Sequence, residues 1–135
     1  MTSKTTGQDF YNLFVYGSLR EPKIFESICG LMFTLKPSHV DEPIVLLAEL
    51  AMLDGFRRVS PDNVYFYSVK EPSSKIQGFL IHNIPAAAMA MIDKYEGKLY
   101  SRDTVTVNTA AGPVETQAYL NSRRDMKKRF GDRFH

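Results

Sequence analysis

Ile44-Val45-Leu46-Leu47-Ala48-Glu49-Leu50-Ala51-Met52-Leu53-Asp54-Gly55-Phe56 decides how the middle of the chain folds. Its Leu-Leu-Ala-Glu-Leu-Ala-Met-Leu segment has the composition of a helix. Its near-continuous apolarity and its length, bounded by Pro43 and Gly55, fit a buried strand equally well. Local reasoning leaves both readings open.

On the N-terminal side the signals are clearer. Leu13-Phe14-Val15-Tyr16 is a short apolar run of strand formers ended by Gly17-Ser18. Pro22 can open a short helix that carries Ile24, Phe25 and Ile28 and stops at Gly30. On the C-terminal side Val64–Val69 is aromatic and β-branched and reads as a strand, with its Tyr65, Phe66 and Tyr67 explained by alternate packing and exposure. Lys75–Ile84 reads as another strand, with Gly78 marking a bulge or a close approach. Pro85 is placed at the first position of a helix that runs over Ala86–Tyr95 and leaves through Gly97. Thr104–Val107 and Pro113–Leu120 form a hairpin about Ala110-Ala111-Gly112. This order predicts a compact α+β domain with a curved, mostly antiparallel sheet.

Composition narrows the class. The 135 residues, 44% hydrophobic and 24% charged, suit one folded domain and exclude a low-complexity or collagen-like chain. A single cysteine, Cys29, excludes an internal disulfide framework and a multi-cysteine zinc site; it reads as a small buried hydrophobe. His39 and His82 lack ligand spacing, so no metal site is expected. Residues 1–12 are expected as a polar tail, 13–121 as the domain and 122–135 as a second tail. That last segment holds six Lys/Arg against two Asp, a net of +4 on a body of −2. A solvated end is the simpler reading of it; contact with nucleic acid or an anionic surface is the other. No apolar run reaches the length of a membrane span and the first nine residues lack the apolar core of a signal peptide, so a cytoplasmic protein without a membrane partner is expected.

Two segments can carry chemistry. The strand–Gly–helix turn at Tyr16-Gly17-Ser18-Leu19-Arg20-Glu21 points backbone N–H groups at one spot, suited to a carboxylate or a developing oxyanion. It lacks the glycine spacing of a phosphate loop, and Ser18 is not in a Gly-x-Ser-x-Gly elbow. A purely structural turn is the competing reading. In the second segment Met89, Ile92 and Glu96 fall on one helix face, which puts a carboxyl at the end of an apolar stripe. Burial and the helix C-terminus both favour its protonated form, as proton transfer near neutrality requires. The competing reading exposes Glu96 in a frayed last turn, paired with Lys98 or Arg102.

Taken together, Phe14-Val15-Tyr16-Gly17-Ser18-Leu19, Leu53-Asp54-Gly55-Phe56-Arg57-Arg58, Gly78-Phe79-Leu80, Asp93-Lys94-Tyr95-Glu96-Gly97 with Tyr100 and Arg102, and Ala118-Tyr119 resemble the γ-glutamylcyclotransferase-like superfamily, in the branch of the plant avirulence-induced proteins and γ-glutamylamine cyclotransferases. The resemblance implies a small barrel-like α+β fold with a pocket at one mouth, and a strand within 44–53. It implies that Tyr16, Gly17, Ser18, Leu19, Arg20 and Glu21 bind substrate and that Glu96 is the proton acceptor. The implied reaction cyclises a γ-glutamyl amine or peptide to 5-oxoproline and a free amine. It needs no metal or cofactor, because the attack is intramolecular. A monomer or homodimer is expected, with no nucleic-acid partner. The alternative is a non-catalytic binding module that uses the same pocket, its basic tail touching a partner.

Overall fold

A computed structural model of the chain describes residues 9–35, 45–59, 67–97 and 100–120. The elements are β1 (Phe10–Val15), a 3-10 turn (Ser18–Arg20), α1 (Pro22–Cys29), β2 (Met32–Thr34), β3 (Val45–Val59), β4 (Tyr67–Pro85), α2 (Ala86–Glu96), β5 (Ser101–Thr109) and β6 (Gly112–Leu120). Strand order is β2-β3-β4-β1-β6-β5, and β5 returns to β3 through Met52 and Asn108. Strands β3, β4, β1, β6 and β5 therefore close into a five-stranded barrel, with β2 appended to β3. The β3–β4, β1–β4, β5–β6 and β3–β5 pairs are antiparallel; β1–β6 and β2–β3 are parallel. The barrel-like, mostly antiparallel α+β fold expected from the sequence is the fold observed.

The ambiguous stretch is strand. Residues Ala48–Asp54 pair one for one with Ile81–Lys75 of β4, and this pairing overrides helical composition. Alternation is hidden in the sequence because both faces carry apolar residues: Leu47 and Leu50, on opposite faces, are 52% and 55% exposed, while Ala48 on one face and Ala51 and Leu53 on the other are buried. A register shift lies between Asp54 and Phe56. Gly78, expected at a bulge or close approach, is a close approach: a Cβ there would run into the Val15 carbonyl oxygen and lie 2.9 Å from the Phe14 ring.

β1 explains why its sequence is continuously apolar. Leu13 and Val15 point to one side and pack with Phe25 of α1 and with Met89 and Ile92 of α2. Phe14 and Tyr16 point to the other, into the barrel with Leu53, Ile76, Leu80, Val107 and Ala118. A strand covered on both faces has no polar side to show. It begins at Phe10, ahead of the expected boundary at residue 13, because Phe10 and Tyr11 pair with Pro85 and Ile84.

α1 begins at Pro22 and ends at Gly30, which takes a left-handed φ of 80°. α2 differs from expectation by one residue at each end. Pro85 is its N-cap rather than its first helical residue, and Glu96 closes its last turn. Gly97 leaves that turn at φ 70°, a conformation that side chains rarely adopt. No helix among the described residues is long and apolar enough to cross a membrane. His39, Val64 to Phe66, Lys98 and the basic segment 122–135 lie outside the described residues.

Candidate active site

β1 delivers Tyr16 to the mouth of the barrel, where its hydroxyl donates to the Tyr119 carbonyl at 2.6 Å. The chain then turns at Gly17 into the 3-10 turn, closed by bonds from the Arg20 and Glu21 amides to Gly17 O (3.0 Å) and Ser18 O (3.1 Å). Two guanidinium groups hold the carbonyls of this loop. Arg58 Nη1 donates to Tyr16 O at 3.1 Å and Arg20 Nε to Gly17 O at 3.2 Å. In a trans peptide the C=O and the following N–H point in opposite directions. The Gly17 and Ser18 N–H groups therefore point away from the arginines.

α2 brings the carboxyl. Met89 and Ile92 are fully buried, and the half-buried Glu96 continues their face. Glu96 lines a small cavity of about 30 Å³ with Phe14, Val15, Tyr16, Gly17, Ser18, Leu19, Tyr100 and Tyr119. That is room for about two waters. Burial, and secondarily the charge of Asp93, push the Glu96 carboxyl up from its ordinary 4.5 to about 7. Arg102, one of the partners considered from the sequence, bridges to Asp93 instead, Nε to Oδ1 at 3.5 Å. Burial also raises the Tyr16 phenol well above its ordinary range, with the Ser68 hydroxyl opposing and Glu96 adding to the rise. The Tyr119 phenol is raised by burial and by its bond to Asp93.

The cavity thus gathers Tyr16, Gly17, Ser18 and Leu19 with Glu96, nearly eighty positions away in sequence. Arg20 and Glu21 stand elsewhere. Arg20 faces a separate groove of about 680 Å³ shared with Arg57, Arg58 and Lys75. Glu21 is the N-cap of α1 and is exposed. The 3-10 turn carries both past the cavity after Leu19. Tyr100 and Tyr119 were not singled out as site residues, although both belong to the quoted motifs; only closure of the barrel brings β6 beside α2. Cys29 is buried, donates to Phe25 O at 3.4 Å and has its thiol raised by burial. His82 is partly exposed and sits 2.6 Å from Glu49. Among the described residues no cluster of His, Cys, Asp and Glu could hold a metal.

Comparison with known proteins gives a consistent result. The sequence pattern described as Gamma-glutamyl cyclotransferase, AIG2-like matches residues 13–133. AIG2-like protein C of Arabidopsis thaliana is 27% identical over 130 residues, which is 94% of this chain and 68% of that protein. Protein AIG2 C of the same plant is 28% identical over 127 residues, 90% of this chain and 68% of that protein. An Arabidopsis thaliana solution structure superposes with a TM-score of 0.68 at 25% identity, covering 97% of this chain and 72% of the other. A structure titled gamma-glutamyl cyclotransferase shares the fold, with a TM-score of 0.62 at 16% identity over 84% of this chain and 68% of its own. With that pattern spanning the barrel, both helices and the cavity, the chain belongs to the gamma-glutamyl cyclotransferase, AIG2-like family.

Proposed function

We propose that the chain is a γ-glutamyl cyclotransferase in which Glu96 transfers protons and the Gly17–Ser18 backbone holds the reacting carbonyl. The observation that carries the reading is the shared cavity. A carboxyl that titrates near 7 lines it together with Gly17 and Ser18. Family membership supports the reaction class.

The substrate is a small γ-glutamyl amine or peptide with a free α-ammonium group. Glu96 takes one ammonium proton, and the neutral amine attacks the γ-carbonyl carbon of the same molecule. A C–N bond closes a five-membered ring, and negative charge develops on the carbonyl oxygen. The Gly17 and Ser18 N–H groups are donors suited to that oxygen. As the tetrahedral intermediate collapses, the bond to the leaving nitrogen breaks. That nitrogen receives a proton from Glu96 and the second proton shed by the ring nitrogen. The products are 5-oxoproline and the leaving amine in its protonated form; charge and atoms balance with no redox step. Intramolecular attack leaves the protein mainly the tasks of folding the substrate and moving protons.

Glu96→Gln keeps the shape and removes the base. Against a panel of γ-glutamyl amides, with 5-oxoproline measured by chromatography, the variant is expected to lose about 10²–10⁴ in kcat/KM. Equal turnover by both proteins would remove Glu96 from the reaction. Ligand binding without turnover by wild-type protein would favour the non-catalytic pocket.

A further inference from the structure

Asp93 stands one helical turn before Glu96 on α2, near enough for its charge to act on the Glu96 carboxyl. Its carboxylate is tied to two strands. The Tyr119 hydroxyl of β6 donates to Asp93 Oδ1 at 2.5 Å. Arg102 Nε of β5 lies 3.5 Å from the same oxygen. The Arg102 guanidinium also stacks over the Tyr11 ring, 5.1 Å from its centre, and its Nη1 is buried with no partner among the described residues. Asp93 thus joins the end of α2 to the strands behind the cavity.

This arrangement controls what Glu96 meets. Tyr16 and Tyr119 line the cavity beside it. Tyr16 gives its proton to the Tyr119 carbonyl, and Tyr119 gives its proton to Asp93. A phenol that donated to Glu96 would stabilise the carboxylate and weaken it as a base. Among the described residues neither phenol does so.

We propose that Asp93 is a positioning residue for Glu96: it draws the Tyr119 proton away from the Glu96 carboxyl and sets a fixed negative charge one turn from it. The proposal rests on the reading of Glu96 as the proton acceptor. The groups around Glu96 are Asp93 on its own helix, Tyr16 just after β1, Tyr119 from β6 and Tyr100 just before β5; Arg102 of β5 reaches Asp93. Asp93 is the carboxylate in this set, and Arg102, bridged to it, offsets its charge, so removing Asp93 and removing Arg102 are expected to move Glu96 in opposite directions.

The test is a carbon-13 NMR titration of the Glu96 carboxyl in the full chain, which needs no turnover. Asp93→Asn keeps an acceptor for Tyr119 and removes the charge; the midpoint is expected to fall by about one pH unit. Arg102→Gln is expected to raise it. In an active enzyme the acidic limb of kcat/KM against pH moves with each midpoint. Loosened packing would admit water and lower the midpoint in both variants. A midpoint unmoved in Asp93→Asn, or moved the same way by both, overturns the proposal. If Asp93→Asn does not fold, Arg102→Gln decides alone: an unmoved or lowered midpoint overturns it. Failure of the cyclotransferase reading would look different, as midpoints that shift in opposite directions in a protein that releases no 5-oxoproline.

Discussion

Above pH 7 the Glu96 carboxyl carries a charge that its surroundings disfavour. Folded, it holds its proton up to about pH 7; in an unfolded chain the ordinary value is 4.5. Between those limits the folded state binds more protons than the unfolded one. The stability contributed by protonated Glu96 is fully present below about pH 4.5 and is lost as pH rises through about 7. Glu96→Gln removes this titration. Measured by thermal unfolding, the variant is expected to melt a few degrees above wild type at pH 8–9 and close to it at pH 4. An equal gain at both pH values would assign the effect to packing instead. The same residue is thus expected to limit stability in the pH range where it serves as a base, a conflict typical of functional positions.

At the scale of the element, β3 offers a direct test of strand against helix. Leu50 and Leu53 are three residues apart, on opposite faces of a strand and on the same face of a helix. Leu53 is 2% exposed and Leu50 55%. Leu53→Ala is expected to cost about 2–5 kcal/mol in chemical denaturation. Leu50→Thr should stay within about 0.5 kcal/mol. Similar losses at both would mark a shared buried face. This element shows where sequence reading ran out. α1 and the β5–β6 hairpin carry their own punctuation in Pro22, Gly30 and Gly112, so local chemistry located them. The start of α2 was misplaced by one because Pro fits both the N-cap and the first turn. β3 has a misleading mark, since Gly55 lies inside a strand that runs on to Val59, and its exposed Leu47 and Leu50, one on each face, erase the period of two. At the site, the Gly17 turn and the Glu96 stripe were legible as local features. The Arg20 side chain was not, because its direction depends on a 3-10 turn, nor was Asp93, whose partners lie on strands that only the folded barrel brings near.

At the scale of the whole molecule, the site depends on how the barrel closes. β1 lies between β4 and β6 with Leu13, Phe14 and Val15 at 0%, 1% and 3% exposure. It carries the Tyr16–Ser18 loop directly, and Met89 and Ile92 pack α2, and with it Glu96, onto the same core. The closing seam is slighter. β3 and β5 meet at Met52 and Asn108, reinforced by an exposed bond from Asn108 Nδ2 to Asp54 Oδ2 at 2.8 Å. Local opening draws on regions with few buried apolar contacts and exposed hydrogen bonds. The seam has the exposed bond and, among the described residues, a single ladder pair, though Leu53 and Val107 beside it are buried; its thin ladder is what sets it apart from β1. Native-state hydrogen exchange is expected to show the amides of Leu13–Val15 exchanging only through global unfolding, and the β5 amides bonded to β3 exchanging earlier through local opening. A barrel that opens at β3–β5 keeps β1, β6 and α2 together, so Gly17, Tyr119 and Glu96 remain in register while the far side breathes. Seam amides as protected as those of β1 would mean that the barrel opens only as a unit, with the cavity sharing in every opening.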